Sequence, residues 1–137
     1  MPILLQINVL VNSGSTGRIA EEIGQLAIQR GWKSYIAYGR NERPSKSRLI
    51  KIGTKWDIIQ HVIKTRLLDR HGFGSKMATL KLVDRIQKIR PDIIHLHNLH
   101  GYYLNIEILF KYLAGRQYTG RLDIARLLAI YRPLLQF

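Results

Sequence analysis

Residues Leu4–Ile23 read LLQINVLVNSGSTGRIAEEI and carry the pattern that decides the fold. An apolar run is followed by a turn of small polar residues that includes Gly14 and Gly17, and then by a helix-forming stretch. Neither glycine has a Cβ, so the backbone can bend sharply and a ligand can approach it closely. The first N–H groups of the helix have no intrahelical partner and carry the positive end of the helix dipole. The pattern therefore predicts either a site for an anionic or hydroxylated ligand or a plain strand–helix connection.

A second segment, Pro91–Gly101, reads PDIIHLHNLHG and ends in a cluster of polar side chains. The proline ends the preceding helix, and the β-branched run Asp92–His97 is typical of a buried parallel strand. Its last histidine and Asn98 follow at the C-terminal end, where open α/β sheets place their ligand clefts. Because carboxyl ends of parallel strands share one edge, we expect residues 12–18 and 97–103 to lie at the same edge of the sheet.

The rest of the chain alternates between strand and helix patterns. The apolar spacing predicts strands at Ile3–Val11, Lys33–Tyr38, Leu49–Ile52 and Asp92–His97. It predicts helices up to Gly31, from Thr54 to about Arg70, from Ser75 to Ile89, and from about Leu104 to Leu113. In the first helix one apolar stripe recurs at helical spacing: Ile19, Ile23, Leu26 and Ala27. This alternation predicts an α/β fold, a Rossmann-like parallel sheet with helices on both faces.

Composition agrees with one globular α/β domain. The chain has 137 residues, 46% of them hydrophobic, and it has no cysteine, which excludes disulfides and thiolate metal sites. The start lacks the pattern of a signal peptide, and no apolar run approaches the length of a membrane span, so we expect a cytoplasmic protein. The net charge of +13 suits nucleic acid, an anionic membrane surface or a phosphorylated ligand. Because the cations are scattered, with one cluster at Arg40–Lys51, nucleic acid is the less favoured partner.

Taken together, the two segments resemble the N-terminal half of family 4 glycosyltransferases of the bacterial capsule and exopolysaccharide type, whose fold is called GT-B. The matching stretches are ILLQINVLVNSGSTGRIAEEI, SYIAYGRNERPSKS and PDIIHLHNLHGYYLNIEILFKYL. The resemblance covers roughly Met1–Ala114. It implies that residues 1–114 are an N-terminal, acceptor-side domain.

The resemblance also implies a reaction and a site. Similar enzymes transfer a sugar from a nucleotide sugar to a saccharide or lipid-linked acceptor, with retention of configuration, and they meet the inner face of the membrane peripherally. No cofactor is implied, and no metal for the chemistry. The residues carried over as substrate contacts are Gly14, Ser15, Thr16, Gly17, Arg18, His97, Asn98, His100, Gly101 and Tyr103.

Other ligand classes fit these motifs less well. A dinucleotide site requires Gly-x-Gly-x-x-Gly and an acid after the second strand, and a Walker loop requires Gly-Lys-Ser/Thr. The turn SGSTGR matches neither. His95 and His97 share one strand face and could ligate a metal ion, but no carboxylate lies close in sequence to complete a ligand set. Packing, hydrogen bonding and acceptor contacts are the other interpretations of these histidines.

The family pattern stops near Gly115, and residues 115–137 do not resemble it. Similar enzymes continue with a strand and a motif such as VVWTLHDCWPFTGH, whose histidine is important for catalysis. With suitably chosen synonymous codons for Gly115–Leu128, moving the reading frame by one base gives ADNIPVVWTLHDC, which predicts a frameshift and a chain that is inactive alone. A genuine C-terminus with an amphipathic helix at Leu122–Tyr131 is the alternative. Two other functions also stay open: a non-catalytic accessory subunit, and a basic nucleic-acid-binding module.

Overall fold

The computed structural model describes residues 1–53, 76–100 and 103–115. Its strands are β1 (Ile3–Asn8), β2 (Lys33–Tyr38), β3 (Arg48–Lys51) and β4 (Ile93–Leu96). Its helices are α1 (Gly14–Gln29), α2 (Lys76–Ile89) and α3 (Ile106–Gly115). The helix predicted from Thr54 to about Arg70 and the tail beyond Gly115 lie outside the described residues. None of the described helices is both long and apolar enough to cross a bilayer.

The four strands form one parallel sheet in the order β3-β2-β1-β4. Strand β1 is central, and Leu5 pairs with Tyr35 on one side and with Ile94 on the other. This sheet, with its helices, confirms the predicted Rossmann-like α/β fold. It also means that β1 and β4 end at the same edge, as expected.

Strand β1 ends at Asn8, three residues earlier than predicted. The apolar residues that follow it leave the ladder, because their backbone groups bond to the loop between β2 and β3. The Val11 N–H donates to the Asn41 carbonyl at 3.2 Å, and the Val9 carbonyl accepts from the Arg40 N–H at 2.9 Å. Buried apolar residues therefore continue beyond the strand without continuing its pairing.

One face of the sheet holds the main apolar core, under α2 and α3. Alternate residues of β1 and β4 point into it, as the period-two geometry of a strand requires. Fully or nearly fully buried members are Leu5, Ile7, Leu82, Ile86, Ile94, Leu96 and Leu109. Side chains of α2 and α3 therefore pack into the same core on this face.

The opposite face is more polar and carries α1. The residues that α1 buries are small or polar: Gly17, Ala20, Glu21 and Gly24. A Cβ at Gly24 would meet the hydroxyl oxygens of Ser47 and Ser34, so only glycine allows this approach. The predicted apolar stripe lies on the other side of the helix, where Ile19 is 50% exposed and Leu26 is 49% exposed. The apolar spacing correctly predicts a helix here, but the apolar stripe is not the face that packs against the sheet.

The end of α1 is marked by Gly31, as predicted. This glycine has a φ of +79°, which side chains rarely tolerate, and its N–H donates to the Ile28 carbonyl at 3.0 Å. The chain then enters β2 two residues later.

We expect alanine substitutions at two isoleucines on this side of the sheet to lower the free energy of unfolding by very different amounts. Ile36→Ala removes a fully buried side chain beneath α1 and should lower the free energy of unfolding by about 2–5 kcal/mol. Ile19→Ala removes a half-exposed one and should change it by no more than about 0.5 kcal/mol. Urea unfolding of both variants measures the difference, and equal losses would show that the stripe on α1 is packed.

Candidate functional site

The two predicted segments meet at the carboxyl edge of the sheet. β1 and β4 are parallel neighbours, so the turn before α1 and the segment after β4 leave side by side. The His97 N–H donates to the Ile7 carbonyl at 2.9 Å, and the Asn98 N–H donates to Asn8 Oδ1 at 3.3 Å. One backbone bond and one bond to a side chain thus keep the segment after β4 attached to the end of β1.

Helix α1 begins at Gly14, so both glycines belong to its first turn and not to the turn that precedes it. Gly14 has a φ of +60°, and Asn12 just before it has a φ of +45°, so the reversal occurs at residues 12–14. Gly17 is buried, and a Cβ there would lie 3.2 Å from the Asn12 nitrogen. Its role in the structure is close packing of the turn, whereas Ser15 and Arg18 are exposed.

A third segment, the β2–β3 loop (residues 39–47), also reaches this edge. Asn12 Nδ2 donates to the Pro44 carbonyl at 2.8 Å, in addition to the bonds from residues 9 and 11. Tyr38 donates its hydroxyl proton to the Glu42 carboxylate, and burial together with this carboxylate raises the pKa of Tyr38 to about 12. The loop brings exposed Arg40 and Arg43 beside the turn. The sequence analysis singled out this loop for its charge and as a matching stretch of the resemblance, but it did not predict the contact with the glycine turn.

Glu21 fastens this loop to α1. Its carboxylate is 4% exposed and accepts hydrogen bonds from the Ser45 hydroxyl, from the Lys46 N–H at 3.0 Å and from Gln25 Nε2 at 2.9 Å. Burial alone would raise the pKa of this carboxyl, but the hydrogen bonds outweigh burial and lower it below its ordinary value. A buried carboxylate with three donors therefore holds the loop against the helix.

The segment after β4 is held from beneath by Tyr103. This side chain is 1% exposed, and its hydroxyl donates to the Asn98 carbonyl at 2.8 Å. Its ring lies against Gly39, where a Cβ would be 2.5 Å from the ring carbon Cγ. Tyr103 thus supports the segment and joins it to the β2–β3 loop. Asn98 is partly buried and His100 is exposed, while Gly101 lies outside the described residues.

His95 and His97 stack on each other on the same face of the sheet as α1. Their ring centroids are 4.1 Å apart with an interplanar angle of 22°. Burial lowers the pKa of His95, and burial with the neighbouring His95 lowers the pKa of His97 to about 4. Both rings are therefore uncharged at neutral pH. In the described part of the chain no third histidine or carboxylate joins them in a metal-binding group.

This edge presents hydroxyls, amides, uncharged imidazoles and arginines from three loops. Such groups bind the hydroxyls of a saccharide and, through the arginines, an anionic substituent. The structure places the two predicted segments at one edge of the sheet, and it adds the β2–β3 loop.

Limited proteolysis tests how the loop is held. Glu21→Ala removes an acceptor of charge-assisted bonds worth about 1.5–3 kcal/mol each, so local opening of the loop should become at least about tenfold easier. Trypsin should then cut after Arg40 and Lys46 at least about tenfold faster than in the parent chain. The matched control is Glu22→Ala, the exposed neighbour on the same helix, which should leave both cleavage rates unchanged. Equal rates in the two variants would contradict the role of Glu21.

Comparison with known proteins finds similarity to a glycosyl transferase. Over 116 residues the chain is 26% identical to "Putative colanic acid biosynthesis glycosyl transferase WcaC" of Escherichia coli (strain K12). The match covers 80% of this chain and 28% of the relative, so the chain spans less than a third of the relative's length. No family model matches the chain, and no solved structure matches it significantly. Over these residues the chain is thus similar to part of a glycosyl transferase.

Proposed function

We propose that residues 1–114 form the N-terminal, acceptor-side domain of a family 4 glycosyltransferase with the GT-B fold. The parent enzyme transfers a sugar from a nucleotide sugar, with retention of configuration, to a saccharide or lipid-linked acceptor in bacterial polysaccharide synthesis. The observation that carries this proposal is the similarity to a glycosyl transferase named for colanic acid biosynthesis. The parallel sheet, which brings the glycine turn and the His97 segment to one edge, supports it.

In this proposal the acceptor binds across the two segments. Ser15, Thr16 and Arg18 lie in the first turns of α1, and His97, Asn98 and His100 lie in the segment that follows β4. These side chains carry hydroxyl, amide, imidazole and guanidinium groups, which suit the hydroxyls of a saccharide. Gly14 and Gly17 keep the turn compact, and Tyr103 supports the segment after β4 through its bond to Asn98. Gly101 is included in the site because of the family resemblance.

The acceptor would be met at the cytoplasmic face of the membrane. The net charge of +13 favours an anionic surface, and lipid-linked acceptors are presented at such a surface. Arg40 and Arg43 of the β2–β3 loop would lie near the bound acceptor, because that loop is bonded to the glycine turn.

We further propose that residues 1–137 are not sufficient for glycosyl transfer on their own. The resembled enzymes use a histidine in a TLHD motif and bind the nucleotide sugar through a C-terminal domain with paired glutamates. The printed sequence has no TLHD motif, and its match spans less than a third of the relative. Half of a two-domain cleft cannot align donor with acceptor, so the chain alone would be inactive.

A kinetic assay tests this proposal. The purified chain is offered nucleotide sugars and exopolysaccharide acceptors, and release of nucleoside diphosphate is measured. We expect no release above background. Turnover that scales with the amount of chain and disappears in Arg18→Ala would show that the chain is a complete catalyst.

Genomic sequencing around codon 115 tests the origin of the tail separately. An intact downstream frame that encodes WTLHD and a second domain is the expected result. A conserved in-frame stop after residue 137 in independent isolates would instead favour an accessory subunit.

A further inference from the structure

Gln6 is a fully buried amide in the central strand, and both ends of its side chain are used. Its Nε2 donates to the Ala20 carbonyl of α1 at 2.8 Å. Its Oε1 lies 2.8 Å from Nε2 of His97. One side chain therefore joins the helix that begins at the glycine turn to the histidine that follows β4.

The bond to α1 determines the direction of the bond to His97. A carbonyl oxygen can only accept, so the Ala20 carbonyl requires the Gln6 nitrogen to face it. This leaves Oε1 facing His97, and an amide oxygen also only accepts. The hydrogen between Gln6 and His97 must therefore be carried by His97 Nε2.

The imidazole holds that proton as an uncharged ring at neutral pH. Burial and the stacked His95 lower the pKa of His97 to about 4, so Nδ1 carries no proton under ordinary conditions. An imidazole in this tautomer can accept but not donate at Nδ1.

Asn8, two residues along the same strand face, repeats the arrangement. Its Nδ2 donates to the Leu10 carbonyl at 3.0 Å, and its Oδ1 accepts from the Asn98 N–H at 3.3 Å. The start of the glycine turn and the segment after β4 are thus connected through two adjacent buried amides. Gln6 and Asn8 thus both use the amide nitrogen as a donor on one side and the amide oxygen toward the segment after β4.

We propose that Gln6 is a positioning residue, which couples α1 to His97 and fixes the His97 proton on Nε2. It follows that His97 cannot donate to a phosphate or carboxylate oxygen of a ligand through Nδ1. In the proposed acceptor site, His97 Nδ1 therefore cannot supply the donor for an anionic group of the acceptor. That last step rests on the proposed function, whereas the coupling of Gln6 to His97 does not.

Nitrogen-15 NMR of the imidazole rings tests the coupling without any sugar ligand. In the parent chain we expect the His97 proton on Nε2 and a titration midpoint near pH 4. Gln6→Met keeps the side-chain volume but removes the acceptor, so the preference for the Nε2 tautomer should fall by about fivefold, the equivalent of one ordinary hydrogen bond. Gln6→Glu restores an acceptor with negative charge. It should recover the Nε2 proton and raise the pKa of His97.

The matched control is Ser34→Ala, which removes a buried hydrogen bond to Ser47 under the same helix without touching His97. It should leave the His97 signals unchanged. A proton on Nδ1 in the parent chain would overturn the proposal even if every Gln6 variant failed to fold. Unchanged His97 signals in folded Gln6→Met, or equal changes in Ser34→Ala, would overturn it as well. Because no step involves glycosyl transfer, these outcomes are independent of the catalytic assay.

Discussion

The structure depends on two uncharged amides that are buried in the middle of the sheet. Gln6 and Asn8 lie on β1 with no exposed surface, and a buried polar group left without a partner costs about 1–3 kcal/mol. Their partners come from Leu10 just after β1, from α1 and from the segment after β4. Satisfying these amides therefore fixes the relative positions of the parts that form the candidate site.

The same requirement explains the unusual packing of α1. Gln6 reaches the Ala20 carbonyl only if the helix backbone lies close to the sheet, so the facing helix positions are glycine, alanine and one hydrogen-bonded glutamate. That glutamate, Glu21, then captures the β2–β3 loop. The polar face of the sheet thus requires α1 to pack close to it. In that position, α1 holds the β2–β3 loop beside the site through Glu21.

The sequence was sufficient for the parts of the fold that depend on periodicity and strand order. The runs Lys33–Tyr38 and Asp92–His97 predict β2 and β4, and their parallel pairing follows from the alternation with helices. The sequence pattern was misleading where the packing is polar. The stripe with Ile19 and Leu26 suggests the buried face of α1, yet the helix face that packs against the sheet has almost no apolar side chains. Apolar residues also extended the predicted β1 beyond Asn8, although backbone bonds to the β2–β3 loop end it there.

The location of the candidate site could be predicted from the sequence, but the contacts that hold its segments in position could not. Strand ends locate the glycine turn and the His97 segment, whereas the contacts of Glu21 and Tyr103 join residues far apart in sequence without a local motif. We propose that these segments together form one saccharide-binding edge. Amide chemical-shift mapping with oligosaccharides from partially hydrolysed bacterial exopolysaccharide measures such binding residue by residue. We expect shifts confined to residues 12–18, 39–47 and 97–103. Shifts confined to the opposite edge, or salt-sensitive shifts with a DNA duplex and none with saccharide, would contradict it.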